Sequence, residues 1–199
     1  MRNIARRTVL AAALALAAPA AFAQGNSGVP DTGGPKLVLQ IEGQAQGKVV
    51  IDLLPDVAPK ATERLITLAK DGKYDNVVFH RVIDGFMAQT GDVQFGKKGG
   101  DTSMAGMGGS DLPDLPAEFS NRSFQRGIVG MARSADPNSA NSQFFIMFAP
   151  APYLDGQYTV VGHVIEGMDV VDQIKKGDAN KNGVVTDPDY IAKATVEQN

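Results

Sequence analysis

The chain has 199 residues, a formal net charge of −3 and no cysteine. Lack of cysteine excludes disulfides, a thiol nucleophile and a thiolate metal site. With two histidines (His80 and His163) and no GxSxG motif, a histidine-rich metal centre is excluded and a Ser-His-Asp triad is not expected.

Met1 to Ala23 reads as a secretory signal peptide. Arg2, Arg6 and Arg7 precede an apolar run from Val9 to Leu16 and a small-x-small exit at Ala21-Phe22-Ala23. The run is too short for a membrane anchor, which needs roughly 20 apolar residues. Arg6-Arg7 suggests a twin-arginine leader, but the flanking pattern is incomplete. Cleavage after Ala23 changes the balance from 19 basic against 22 acidic residues to 16 against 22. Such an acidic product gives no support for nucleic-acid binding. Gln24 to Pro35, rich in Gly, Ser and Pro, reads as a flexible linker, and residues 36–199 as one domain.

Lys36–Glu42 and Lys48–Leu54 read as two strands joined by a hairpin at Gly43 to Gly47. In the second strand, Val49, Ile51 and Leu53 form an apolar face, while Val50, Asp52 and Leu54 form a mixed one. Asp56 to Lys70 reads as a helix with one apolar stripe (Ala61, Leu65, Leu68, Ala69), a proline at its start and Asp71-Gly72 as its stop. Tyr74 to Gly91 reads as strands broken at Asp84-Gly85. Gly91 to Glu118 holds seven of the 22 glycines and is expected to be a long loop. Ile128–Ala132, Gln143–Phe148 and Thr159–Ile165 read as strands. Met168, Val171 and Ile174 mark a second, short helix, and Tyr190–Val196 the last strand. Many short strands with two helices indicate an all-β barrel or sandwich.

Two stretches carry the chemistry: FHRVIDGFMAQTGD (Phe79 to Asp92) and GMARSADPNSANSQFFIMF (Gly130 to Phe148). Arg81, Phe86, Met87, Gln89, Phe145 and Leu154 together offer apolar groups for one small ring and two polar groups for a neighbouring peptide. They provide no nucleophile and no paired acid and base, so the expected chemistry breaks no bond, or the protein only binds.

FHRVIDGFMAQTGD, SQFF (Ser142 to Phe145) and YLDGQYTVVGHVIEGMDVV (Tyr153 to Val171) resemble the cyclophilin family of peptidyl-prolyl isomerases in order and spacing. The resemblance implies a mainly β fold, a closed eight-stranded antiparallel barrel with a helix over each end and an active groove on its outside. It assigns Arg81 to the catalytic arginine and Phe86, Met87, Phe145 and Leu154 to the proline pocket. Gln89 and Gln143 take positions that bind substrate backbone and support the arginine; Gln89 is grouped with Arg81 as catalytic. Ala132 and Arg133 take the groove wall beside the residue before proline, where the family more often has asparagine at Arg133. Tyr153 and Tyr158 stand where well-known eukaryotic members have tryptophan and histidine, as in exported bacterial members. The loop Ser134-Ala135-Asp136-Pro137 holds one residue more than the family pattern, which leaves the register of Arg133 and Ser134 open.

The expectation is therefore a secreted, periplasmic, monomeric isomerase acting on X-Pro bonds of unfolded or flexible exported proteins. No cofactor, metal, nucleic acid or lasting membrane insertion is expected. A proline-peptide binding module or holdase with incidental turnover is the second reading, and a lipocalin-like carrier a distant third. His80 and His163 read as hydrogen-bonded structural residues. Asp178, Asn180, Asn182, Gly183 and Asp189 have the spacing of a calcium loop but read as a polar turn, given Pro188 and the lack of a following helix. Met104 and Met107 read as loose packing in preference to a soft-metal site.

Overall fold

The computed structural model describes residues 30–198. The expected signal peptide and the first half of the expected linker lie outside the described residues. Among the described residues, nine strands form one curled antiparallel sheet: β1 (Lys36–Glu42), β2 (Gly47–Leu53), β3 (Val77–Val78), β4 (Arg81–Ile83), β5 (Met87–Thr90), β6 (Ile128–Met131), β7 (Phe144–Met147), β8 (Val160–Glu166) and β9 (Tyr190–Glu197). Their order is β3-β9-β1-β2-β8-β6-β7-β5-β4. This half-barrel corrects the expected closed eight-stranded barrel. The cause lies at Phe79-His80, between β3 and β4. The Phe79 N–H donates to the Asp189 carbonyl, and the His80 carbonyl accepts from the Val185 N–H. Those backbone groups serve the segment before β9, so β3 and β4 remain two short edges joined by covalent chain.

Helix α1 (Pro59–Lys70) begins three residues later than the sequence suggests, because Pro59 suits a first-turn position. Its stripe of Ala61, Leu65, Leu68 and Ala69 is buried in the main core with Leu37, Leu39 and Ile41 of β1. The short α2 (Met168–Gln173) packs against β2. No helix among the described residues is long and apolar enough to cross a membrane.

Both faces of β2 are covered: Val49 to Leu54 are all buried, including Asp52. The mixed face is covered by the chain before β1. Thr32 donates to Asp52 Oδ2 through its N–H (2.8 Å) and hydroxyl (2.7 Å), and Lys36 Nζ lies 2.9 Å from Asp52 Oδ1. His163, on β8, sets Nε2 3.1 Å from the Pro30 carbonyl. A buried carboxylate needs such partners, since an unpaired one would cost several kcal/mol.

Strand alternation divides the protein into two apolar clusters. Val82, Ala88, Phe144 and Ile146 point into the main core. Met87, Phe145 and Met147 point to the other side, where they pack with Leu54, Phe124 and Leu154. This second cluster is the floor of the candidate site.

Candidate active site

One rung of the sheet carries the centre of the site. Arg81 pairs with Gln89 across β4 and β5, Gln89 with Phe145 across β5 and β7, and Phe145 with Gly130 across β7 and β6. Side chains on one rung share a face, so the guanidinium, the carboxamide and the phenyl ring are neighbours by register. The fourth member must lack a side chain. A Cβ at Gly130 would lie 2.5 Å from Phe145 Cζ and 2.8 Å from Phe124 Cε1. Its absence lets those rings stack over β6, with centroids 5.9 Å apart.

The recess over this rung has a volume of about 430 Å³. Arg81, Phe86, Met87, Gln89, Ala132 and Arg133 line one part of it. Phe145, Tyr153, Leu154, Gln157 and Tyr158 line the rest. Ten of the eleven residues expected from the sequence thus meet here. Gln143 lines an adjoining recess of about 380 Å³, which shares Gln89, Ala132 and Arg133 with the first. Arg133 is therefore on the groove, and Ser134 lies in the second recess only. Met87, Phe145 and Leu154 are buried in the floor, while Tyr153 is 63% exposed on the rim with its ring 6.0 Å from Phe86. Tyr158 stands edge-on to Phe124 and Phe145.

Arg81 is fixed from two sides. Nη1 donates to Gln89 Oε1 at 3.2 Å. Nε donates to the Asn182 carbonyl and Nη2 to Asn182 Oδ1, each at 3.0 Å. Gln89 in turn donates to Gln143 Oε1 at 2.9 Å, and Gln143 donates to the Gly108 carbonyl at 2.8 Å. This chain sets the orientation of both carboxamides, so each presents oxygen toward the arginine side. Burial pushes the Arg81 pKa down from its ordinary value. The group nevertheless keeps its charge, since guanidinium is effectively always protonated in proteins.

Arg133 Nε and Nη2 donate to the Gln157 carbonyl at 3.1 and 3.0 Å, and Nη1 to the Ser134 carbonyl at 2.9 Å. Its guanidinium lies 4.6 Å from the Tyr158 ring centroid, within cation–π range.

Four contributors have no mark in the sequence that ties them to the groove. Gln157 and Gly108 act partly through backbone carbonyls, which every residue type has. Gly130 acts through missing bulk. Asn182 stands out in the sequence only for its calcium-like spacing. That loop is a polar turn: Asp189 is buried and accepts N–H groups of Gln44, Ala45 and Lys175, while Asp178 accepts from Asn180 N at 2.9 Å. Among the described residues no three acidic or histidine side chains cluster to hold a metal.

His80 departs from expectation. It is buried, yet neither ring nitrogen makes a hydrogen bond of good geometry among the described residues, with the Val78 backbone close enough to favour its charged form. Burial lowers its pKa from 6.5 to about 4, against the opposing pull of Asp92. Met104 and Met107 are exposed, as loosely packed loop residues would be.

Residues 37–196 match the family described as cyclophilin type peptidyl-prolyl cis-trans isomerase/CLD. The chain is 61% identical to a probable peptidyl-prolyl cis-trans isomerase of Brucella suis over 153 residues, 76% of this chain and 78% of that one. Among solved structures it is similar to a Cryptosporidium parvum cyclophilin type peptidyl-prolyl cis-trans isomerase crystallised in the presence of the dipeptide Ala-Pro. The TM-score is 0.69 at 26% identity, covering 82% of this chain and 99% of that one. The cyclophilin AquaCyp293 from Hirschia baltica shares the fold, with a TM-score of 0.66 at 24% identity over 80% of this chain and 73% of that one.

Proposed function

Because the chain belongs to the cyclophilin family and is a peptidyl-prolyl cis-trans isomerase, we propose that Arg81 and the recess beside it turn X-Pro bonds in flexible segments of exported proteins. The observation that carries this reading is the position of Arg81, a permanent charge held at the edge of a ring-binding apolar recess. Among the described residues, those lining that recess include no carboxylate, imidazole or aliphatic hydroxyl. That set suits a reaction in which no bond breaks.

An amide resists rotation because its nitrogen lone pair is delocalised into the carbonyl, giving a barrier of about 18–20 kcal/mol. At X-Pro the two isomers are close in energy, but exchange takes tens to hundreds of seconds. In the twisted transition state the lone pair returns to the prolyl nitrogen. A guanidinium N–H donating there favours the twisted form over both planar ones. Phe86, Met87, Phe145 and Leu154 hold the ring, Tyr153 and Tyr158 border it, and Ala132 and Arg133 wall the chain before it. Gln89 and Gln143 hold the substrate backbone and the arginine. A charge-assisted hydrogen bond of roughly 1.5–3 kcal/mol supplies about one to two decades of rate. Holding the ring while the carbonyl swings supplies the rest.

The leader-like Met1 to Ala23 supports export, and with it a periplasmic protein that assists folding. Exchange spectroscopy on an Ala-Pro peptide tests the activity: cis–trans exchange should accelerate with protein at one-hundredth of the peptide concentration. Fractionation of expressing cells tests the location, and recovery of an unprocessed protein in the cytoplasm would sink it.

A further inference from the structure

The groove has a charge of its own that the isomerase chemistry does not use. Arg133 forms the ridge between the recess of about 430 Å³ and its neighbour of about 380 Å³. Among the described residues no carboxylate lines either recess, although acidic residues outnumber basic ones 22 to 19 in the chain. Among the described residues, every acceptor of an Arg133 hydrogen bond is a carbonyl oxygen, and none is an anion. The carboxylate on its own loop, Asp136, is exposed and accepts from Asn138 N–H at 2.8 Å.

The neutral polar groups of the second recess are already engaged. Asn141 accepts from Ser110 and donates to Leu112 and Asp114; Ser139 bonds Ser134 and the Asp136 carbonyl. The feature left to discriminate among ligands is the Arg133 charge, held in place by Gln157 and the Tyr158 ring.

We propose that Arg133 makes this enzyme selective for proline segments with a carboxylate side chain immediately before the proline. The proposal rests on the reading that proline occupies the first recess, with the preceding chain crossing Ala132 and Arg133 into the second. An exposed ion pair of this kind is worth roughly two- to fivefold in kcat/KM relative to a neutral side chain. A lysine there is disfavoured by a similar factor. The preference fades in 1 M salt, where the screening length falls to about 3 Å.

The test compares three peptides with Glu, Gln or Lys before proline, on wild-type protein, Arg133→Gln and Arg133→Glu, by exchange spectroscopy. Wild type should prefer Glu over Lys by about four- to twenty-five-fold. Arg133→Gln should bring that ratio near one, and Arg133→Glu should invert it. A purely structural role for Arg133 predicts an equal loss on all three peptides, which would overturn the proposal. Equal turnover of the three peptides by wild type would also overturn it, leaving the isomerase reading intact. No acceleration of any peptide by wild type would overturn the site reading itself, and this proposal with it.

Discussion

Asn182 grips Arg81 from a position 101 residues later in the chain, through its carbonyl and its side-chain oxygen, each at 3.0 Å. Its backbone is left-handed (φ 54°), a conformation asparagine tolerates better than most residues. This contact leaves Arg81 few rotamers and turns Nη1 toward Gln89 and the recess. Asn182→Gly keeps the backbone conformation and removes the side-chain contact. Its expected result is a three- to tenfold fall in kcat, with KM changed less than twofold. A KM effect larger than the kcat effect would mean that Asn182 serves binding instead of orientation.

Gln89 accepts from Arg81 and donates to Gln143. Gln89→Glu keeps the shape but removes the donor and adds a charge that pairs with the guanidinium. The charge available to the prolyl nitrogen falls, so kcat/KM should drop by more than tenfold at pH 7. Gln143→Ala removes only the support and should cost less. A larger loss at Gln143 than at Gln89 would contradict the order of this chain.

At Gly130, the Cβ of alanine would lie within 3 Å of both Phe145 and Phe124. The rings must shift into the recess or the sheet must give way. Overpacking typically costs about 1–3 kcal/mol. Gly130→Ala should therefore lower the unfolding midpoint in urea and raise KM. Unchanged KM in a folded variant would show that the recess does not hold the ring.

His80 sets the acid side of stability. Its pKa is about 4 in the fold against 6.5 for the free group. The unfolded chain therefore takes up the proton first as pH falls below 6.5, and stability drops until the folded group also protonates near 4. The loss is about 3 kcal/mol by pH 4. Lowered carboxylate pKa values, such as those of Asp52 and Asp75, act below this window. Urea unfolding at pH 7 and pH 4.5 should show the loss in wild type and a smaller one in His80→Gln. Equal losses would assign it to other groups.

The groove was legible in the sequence where side-chain identity decides position. The alternation of Arg81, Met87, Gln89 and Phe145 along short strands puts them on one face once β4, β5 and β7 pair. Asn182 and the Gln157 carbonyl were not legible, because their contacts reach across the chain and use groups common to many residues. The closed barrel failed at Phe79-His80, where backbone bonds to the distant segment 185–189 outweigh strand-like composition. The sequence points to a hydrogen-bonded His80 because buried histidines usually are satisfied. The sequence has no signal for Gly106, which lies against the His80 ring edge.

The most direct test is the cis–trans relaxation rate of an Ala-Pro peptide with wild type, Arg81→Ala and Arg81→Lys. Strong acceleration by wild type, a loss of at least tenfold in kcat for Arg81→Ala with peptide binding retained, and only partial recovery by Arg81→Lys would place the guanidinium at the transition state. Equal acceleration by all three folded proteins would contradict that role and move the source of catalysis to the recess alone.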